Sequence, residues 1–284
     1  MSLQQTITAG VDGSPGSLGA AGWAAHEALR RDLPLHLVHA SAPPPERGRL
    51  PEIDAPYERE RGALGRAVLH LSNTHPTLRI LDEQVTGSPV GALLAAGSSS
   101  ALLVVGSHGA GAITGALAGS VAQAVAARAS CPTALVGARH HTENTYRGPM
   151  GDAEHPVVLG IDLARPGDEL LEYAFDAAAS RKAPLHVVHV WTAPLVPSAD
   201  AIDPMPEKVQ QLAAELAPWR QKFPRTQVTD RLVHGLAGHH LVKAASTACL
   251  LVIGRRVPVG PHLGRTAHAA IHHAKCPVVV VPHY

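Results

Sequence analysis

Short apolar runs recur along the chain, each followed by a longer stretch in which apolar residues return every three or four positions. In the first half the runs are Ile7–Val11, Leu35–Ala40, Leu78–Val85, Leu102–Val105 and Thr133–Val136. Apolar character that is continuous rather than alternating predicts strands buried on both faces. Between the runs, Ser17–Arg31, Tyr57–Asn73, Pro89–Ser98 and Ser120–Arg128 carry helical periodicity. Pro15 near one helix start and Ser120 behind Gly119 at another are helix-opening signals. The second half repeats the pattern, with strands expected near 157–161, 185–190, 226–232, 249–253 and 278–281. Alternating strands and helices with right-handed crossovers predict an α/β fold built on an open parallel sheet with helices on both faces. Such sheets bind ligands beyond the carboxyl ends of their strands, where the strand order reverses.

The halves are copies of one another. Shifted by 150 residues, Gly10-Val11-Asp12 falls on Gly160-Ile161-Asp162, and the strand from Pro34 to His39 falls on that from Pro184 to His189. The offset then shrinks to 148, where Leu102–Gly106 meets Leu250–Gly254, and to 145, where Cys131-Pro132 meets Cys276-Pro277. Ordered matches whose register drifts slowly are the mark of a duplication. Residues 138–155 are polar and irregular and contain a Gly-Pro pair, so the join belongs there. The expected domains are 1–139 and 155–284, with a linker over 140–154.

Composition narrows the function classes. Hydrophobic residues make up 45% of the chain but aromatics only 3%, so the cores are built from Ala, Val and Leu. Net charge is +1 without a basic block, which gives no electrostatic footprint for nucleic acid. No run approaches a membrane span and the amino terminus lacks the features of a signal peptide. Cys131, Cys249 and Cys276 have no metal-ligand spacing. A cytoplasmic, reduced, soluble protein is the expectation.

The chemistry concentrates after the fourth strand of the first half. There the chain reads Gly106-Ser107-His108-Gly109, nine further residues, then Gly119-Ser120-Val121 opening a helix. Glycines let backbone N–H groups approach a ligand without a β-carbon in the way. A helix N-terminus adds unpaired donors and partial positive charge, which suits phosphate, and Ser120 adds a hydroxyl. The stretch contains no lysine, so it is not a Walker P-loop. A flexible surface loop is the alternative. Asp12 ends the first strand on the same sheet edge, where it can accept from an adenine amino group or ribose hydroxyl, or cap the helix that starts near Pro15.

On these residues the chain resembles a tandem universal stress protein of the UspA-like kind across almost its whole length. The resemblance rests on Val11-Asp12, the strand from Leu35 to Ala40, Val105–Gly109, and Gly119–Val121 followed by Cys131-Pro132. The family's nucleotide-binding subset carries G-x2-G-x9-G-[S/T], which residues 106–120 match without a gap. The resemblance implies two tandem Rossmann-like domains (adenine nucleotide α-hydrolase-like), each with a five-stranded parallel sheet. It also implies ATP across the first and fourth strand ends, with magnesium as a candidate companion. By position, Asp12, Gly13, Ser14 and Ala40 would face adenine and ribose. Val105, Gly106, Ser107, His108, Gly109, Gly119, Ser120 and Val121 would surround ribose and phosphates.

The second half departs from this pattern. Asp162 is kept and Val190 replaces Ala40, but Gly13-Ser14 becomes Leu163-Ala164. Gly254 is followed by Arg255-Arg256-Val257, with Val257 at the second glycine. Only six residues then precede Gly264, and Arg265-Thr266 replaces Ser120-Val121. The arginines could hold an anion by charge, which makes Asp162, Val190, Gly254, Arg255, Gly264, Arg265 and Thr266 a weaker second site. The plainer expectation is a degenerate site kept as a structural partner.

Other features carry less. His36 and His39 leave opposite faces of one strand, as do His186 and His189, so neither pair can share a metal ion. No serine has an assignable His–Asp arrangement. The proline-rich stretches 41–56 and 191–206 are expected as extended loops bordering the cleft. Three functions follow: an ATP-binding stress-response regulator, a slow ATPase, and a scaffold indifferent to nucleotide. The lack of a loop lysine, a base or a metal carboxylate argues against efficient hydrolysis. The last strands of the halves are expected to pair them as a pseudo-dimer, and a homodimer of chains is a further candidate.

Overall fold

The computed structural model describes residues 5–41, 51–107, 119–137, 154–192, 205–257, 260 and 262–284, with the backbone alone over 51–61. The chain divides into two compact units, Met1–Tyr146 and Arg147–Tyr284.

In the first unit the elements run β1 (Thr6–Gly10), α1 (Pro15–Arg31), β2 (Leu35–Ser41), α2 (Pro51–Thr74), β3 (Ile80–Thr86), α3 (Pro89–Gly97), β4 (Ser100–Gly106), α4 (Ser120–Arg128) and β5 (Thr133–Val136). The strands lie in the order β3-β2-β1-β4-β5 and every pairing is parallel. The order reverses between β1 and β4, so their carboxyl ends open the crevice in which such sheets bind ligands.

The second unit repeats the plan with β6 (Val157–Ile161), α5 (Asp168–Arg181), β7 (Leu185–Trp191), α6 (Met205–Lys222), β8 (Val228–His234), α7 (Ala237–Ala244), β9 (Leu250–Arg256), α8 (Arg265–His273) and β10 (Val278–His283). Its strands lie in the order β8-β7-β6-β9-β10, all parallel, and the reversal falls between β6 and β9.

Duplication is visible down to single turns. Helices α1 and α5 both end on a left-handed residue, Asp32 at φ 52° and Lys182 at φ 53°. In each, the next amide folds back onto the last turn, Leu33 to Ala28 and Ala183 to Ala178. That closure satisfies carbonyls a helix end would otherwise leave unpaired. The small-residue face of α1, including Ala20, Ala21, Ala24 and Ala28, is fully buried, as is that of α5 around Ala174, Ala177 and Ala178. Small side chains let helix and sheet approach closely, which is how a core nearly devoid of aromatics is filled.

Two expectations need correction. Strands β3 and β8 are edge strands, not strands buried on both faces. Leu81 is 51% exposed, and the burial of both strands is partial along their length. Their sequences, with Asp82, Glu83 and Gln84 in one and Asp230 and Arg231 in the other, suit a single covered face. The proline-rich stretches are also not wholly extended. Pro51–Pro56 belong to α2 and Met205-Pro206 open α6, while 42–50 and 193–204 lie outside the described residues. Proline is compatible with a first helical turn, whose N–H groups have no partner within the helix.

On α1, His26 donates from Nδ1 to the Gly22 carbonyl at 2.9 Å and packs edge-on against His75, with ring centroids 4.8 Å apart. Burial lowers the pKa of both imidazoles below the ordinary histidine value, and for His75 the neighbouring His26 lowers it further. With the native pKa depressed, the unfolded chain binds more protons as pH falls, so stability falls with it. The first unit is expected to keep its stability above about pH 6.5 and lose part of it between that value and the lowered native pKa. Urea midpoints on either side of that window should therefore differ. The double variant His26→Gln/His75→Gln should show a smaller difference, and an unchanged one would refute the assignment.

Candidate functional site

Asp12 stands just past β1, exposed at the crevice edge. Its turn is held from three directions. The Ser14 N–H donates to Asp12 Oδ1 at 2.9 Å, and the Ser14 hydroxyl donates to the same oxygen. Ser17 Oγ accepts from the Asp12 N–H at 3.1 Å and donates to the Ser14 carbonyl at 3.0 Å. Beneath, His39 is buried and donates from Nδ1 to the Val11 carbonyl at 2.6 Å. Gly13, at φ 80°, makes the left-handed turn between Asp12 and Ser14, a conformation that favours glycine.

The helix cap is Ser14, whose hydroxyl accepts from the Ser17 N–H at 3.1 Å, with Pro15 at the first helical position. The expectation that Asp12 could cap α1 is thereby corrected. Asp12 braces the capping residue instead and keeps its carboxylate at the crevice rim. Ala40, half-buried near the end of β2, pairs with Val85 of β3.

Across the crevice, Val105 and Gly106 finish β4, and Ser107 is buried with its N–H donating to the Val136 carbonyl at 2.8 Å. The loop leaves the sheet at Ser107 and returns at Gly119, whose N–H donates to the Ser107 carbonyl. Residues 108–118, including His108 and Gly109, lie outside the described residues. Gly119 is the N-cap of α4 and offers no side chain to the first turn, so no capping side chain takes up the donors at Ser120 and Val121. The two ends of the predicted motif therefore meet at the base of the loop, on the same sheet edge as Asp12.

The second unit keeps the frame and changes its furniture. Asp162 Oδ1 accepts from the Ala164 N–H at 3.1 Å, a turn with no hydroxyl in it. His189 repeats the strut of His39, with Nδ1 3.0 Å from the Ile161 carbonyl. Leu163, in the place of Gly13, is buried, and Gln211 of α6 donates to its carbonyl at 2.8 Å. Helix α8 is capped by Gly264, again without a side-chain bond, so Arg265 and Thr266 open it as Ser120 and Val121 open α4. At these strand ends lies a cavity of about 470 Å³, and Asp162, Val190, Gly254, Arg255, Gly264, Arg265 and Thr266 all line it. Arg255 is only 8% exposed, and burial pushes its guanidinium below the ordinary value.

Sequence reasoning missed the struts and part of this lining. His39 and His189 were weighed only as metal ligands, although their recurrence at a fixed offset was the signal of a shared structural role. His36, on the same strand as His39, instead faces Glu83 at 3.1 Å. Arg165 and His283 also line the cavity, and neither falls in a recognisable motif.

The universal stress protein family model matches residues 4–137 and again 154–282. The chain belongs to the universal stress protein family. It is 30% identical over 295 residues to universal stress protein Rv2005c of Mycobacterium tuberculosis, covering 98% of this chain and 97% of that one. It is 29% identical over 291 residues to universal stress protein Rv2623 of the same organism, covering 96% and 95%. Among solved structures it resembles a universal stress protein from Archaeoglobus fulgidus, with a TM-score of 0.71 and 17% identity over 99% of both chains, a likeness of fold. Among the described residues, no helix of this family member is long and apolar enough to cross a membrane.

Proposed function

We propose that this universal stress protein binds ATP in its first unit and acts as a nucleotide-dependent regulator of the stress response. The carrying observation is the gap-free G-x2-G-x9-G-S spacing of residues 106–120, closed at its base by the hydrogen bond from Gly119 to Ser107. The site's own residues fit such a ligand. The uncapped first turn of α4 supplies N–H donors and the positive end of the helix dipole for phosphate. The Ser120 hydroxyl stands exposed beside them. Asp12, held by Ser14 and Ser17, is a preorganised acceptor for adenine or ribose donors.

The same residues are built to hold rather than to cleave. Residues 106–120 include no lysine, aspartate or glutamate, so the loop offers no cation for the terminal phosphates and no carboxylate base. ATP would then report its own concentration by occupancy, and its release or retention would set which surfaces the protein shows.

Denaturing freshly purified protein and measuring the released nucleotide tests this reading. About one ATP per chain is expected. A released pool that is entirely ADP would favour the slow ATPase, and the absence of any nucleotide after incubation with ATP would favour the scaffold.

A further inference from the structure

Helix α8 carries His268 and His272 one turn apart, so both side chains leave the same face. Their ring centroids lie 4.1 Å apart, with the planes tilted by 36°. The helix is a firm mount for the pair. Ala267, Ala270 and Ile271 are buried beneath it, and a β-carbon on Gly238 of α7 would stand 2.8 Å from that of Ala269. His268 is exposed and His272 half-buried, yet Nε2 of His272 is buried without a hydrogen-bond partner. A polar atom left unsatisfied in a native fold calls for a ligand or an ordered water.

The duplication shows that the fold does not require this pair. At the 145-residue offset that sets Gly264 on Gly119, His268 falls on Gln123 and His272 on Ala127. Helix α4 forms with those residues in place. The surroundings also select the chemistry. Residues 231–284 contain no aspartate or glutamate, so a hard cation that takes oxygen ligands finds no carboxylate in this stretch. Among the described residues, no third histidine, cysteine or carboxylate joins the two rings to form a larger cluster. What the helix offers is imidazole nitrogen, which suits zinc and copper.

We propose that His268 and His272 form a two-imidazole site for a divalent transition-metal cation of the zinc and copper class, on the surface of the second unit. Rotation of the exposed His268 ring brings a nitrogen toward His272 Nε2, and the cation sits about 2.0–2.1 Å from each. Water fills the remaining positions. Once one ring holds the cation, the other binds it from a fixed place on the same helix, which raises affinity above that of a lone histidine. The same one-turn spacing serves helical zinc sites of the H-E-x-x-H kind. Because the unfolded chain does not hold the rings together, the cation stabilises α8.

The test uses the intact chain without a purification tag, titrated with zinc chloride and separately with magnesium chloride. The chain has 19 histidines, so ring-proton NMR signals are followed residue by residue. The signals of His268 and His272 are expected to move together at one midpoint, below that of the other histidines, and magnesium should leave both in place. His268→Gln, at an exposed position, is expected to weaken zinc at His272 at least about tenfold. His273→Gln removes a ring 6.4 Å from that of His272 and should change the midpoint less than about twofold. Zinc should also slow amide exchange in the last turn of α8, with α4 as the internal reference, and His268→Gln should abolish the slowing. Separate midpoints for the two rings would overturn the proposal. So would a His272 response indifferent to His268→Gln, or movement only at zinc concentrations that shift every histidine alike.

Discussion

Gly119→Val is expected to lower ATP affinity at least about a hundredfold while leaving the protein folded. Gly119 sits at φ −68° and ψ 156°, a conformation any residue adopts, so the backbone itself does not resist the change. The added isopropyl group would lie at the mouth of α4, beside the Ser120 and Val121 amides. Displacing a phosphate from two such donors, at roughly 1.5 kcal/mol each, removes about 3 kcal/mol, which is about two decades in affinity. Gly264→Val makes the same chemical change at the start of α8. A β-carbon there meets nothing within 4 Å, so the fold accepts it, and ATP binding by the first unit is expected to be unchanged. Calorimetric titration of both variants decides the matter. Equal losses would mean that nucleotide depends on both units alike, and no loss from Gly119→Val would remove the loop from the site.

The asymmetry between the two glycines was legible in the sequence only as a difference of spacing. The repeat itself was plain, because Leu102–Gly106 and Leu250–Gly254 preserve residue type at each position of buried strands that tolerate little else. Helix starts at Pro15 and Ser120 were legible for the same reason, since proline and glycine leave few conformations open. What a chain cannot spell out is which of two compatible roles a short polar side chain takes. Asp12 and Ser14 are both able to cap α1; Ser14 does so, and Asp12 accepts from the Ser14 N–H and hydroxyl instead. Nor could the cavity be read from a motif. Its arginines and His283 come from β9, α8, β10 and the turn before α5. The shortened loop and the lost serine are plain in the sequence, whereas the convergence of Arg165, Arg255, Arg256 and Arg265 on one cavity is not. The edge position of β3 is legible in Leu78–Val85, whose Arg79, Asp82, Glu83 and Gln84 interrupt the apolar run that a strand covered on both faces requires.

Gly106→Ala is expected to destabilise the first unit by about 2 kcal/mol or more, whereas the matching Gly254→Ala should cost the second unit less than about 1 kcal/mol. The difference lies in what each new methyl group meets. At Gly106 it would stand 2.7 Å from the Gly16 oxygen, 2.8 Å from the Gly16 carbonyl carbon and 3.0 Å from the Ser17 nitrogen, all backbone. That backbone cannot yield easily. Ser14 caps it, Pro15 fixes its φ, and behind it Ala20, Ala21 and Ala24 are packed without exposure against the sheet. Relief requires shifting α1 off β4, which would also move the turn that holds Asp12, so ATP affinity should fall together with stability. At Gly254 the neighbours are His283 and Leu170 side chains, with Leu170 Cδ2 at 3.1 Å, and these can rotate into the adjoining cavity. Replacing a strand glycine by alanine also recovers backbone entropy, which offsets part of the remaining strain. Hydrogen exchange on each variant resolves the two units separately under native conditions. The expected pattern is loss of protection throughout β1, β4 and α1 for Gly106→Ala and near-normal protection of β6 and β9 for Gly254→Ala. Equal losses would show that the opening turn of α1 is not the rigid partner of β4 described above.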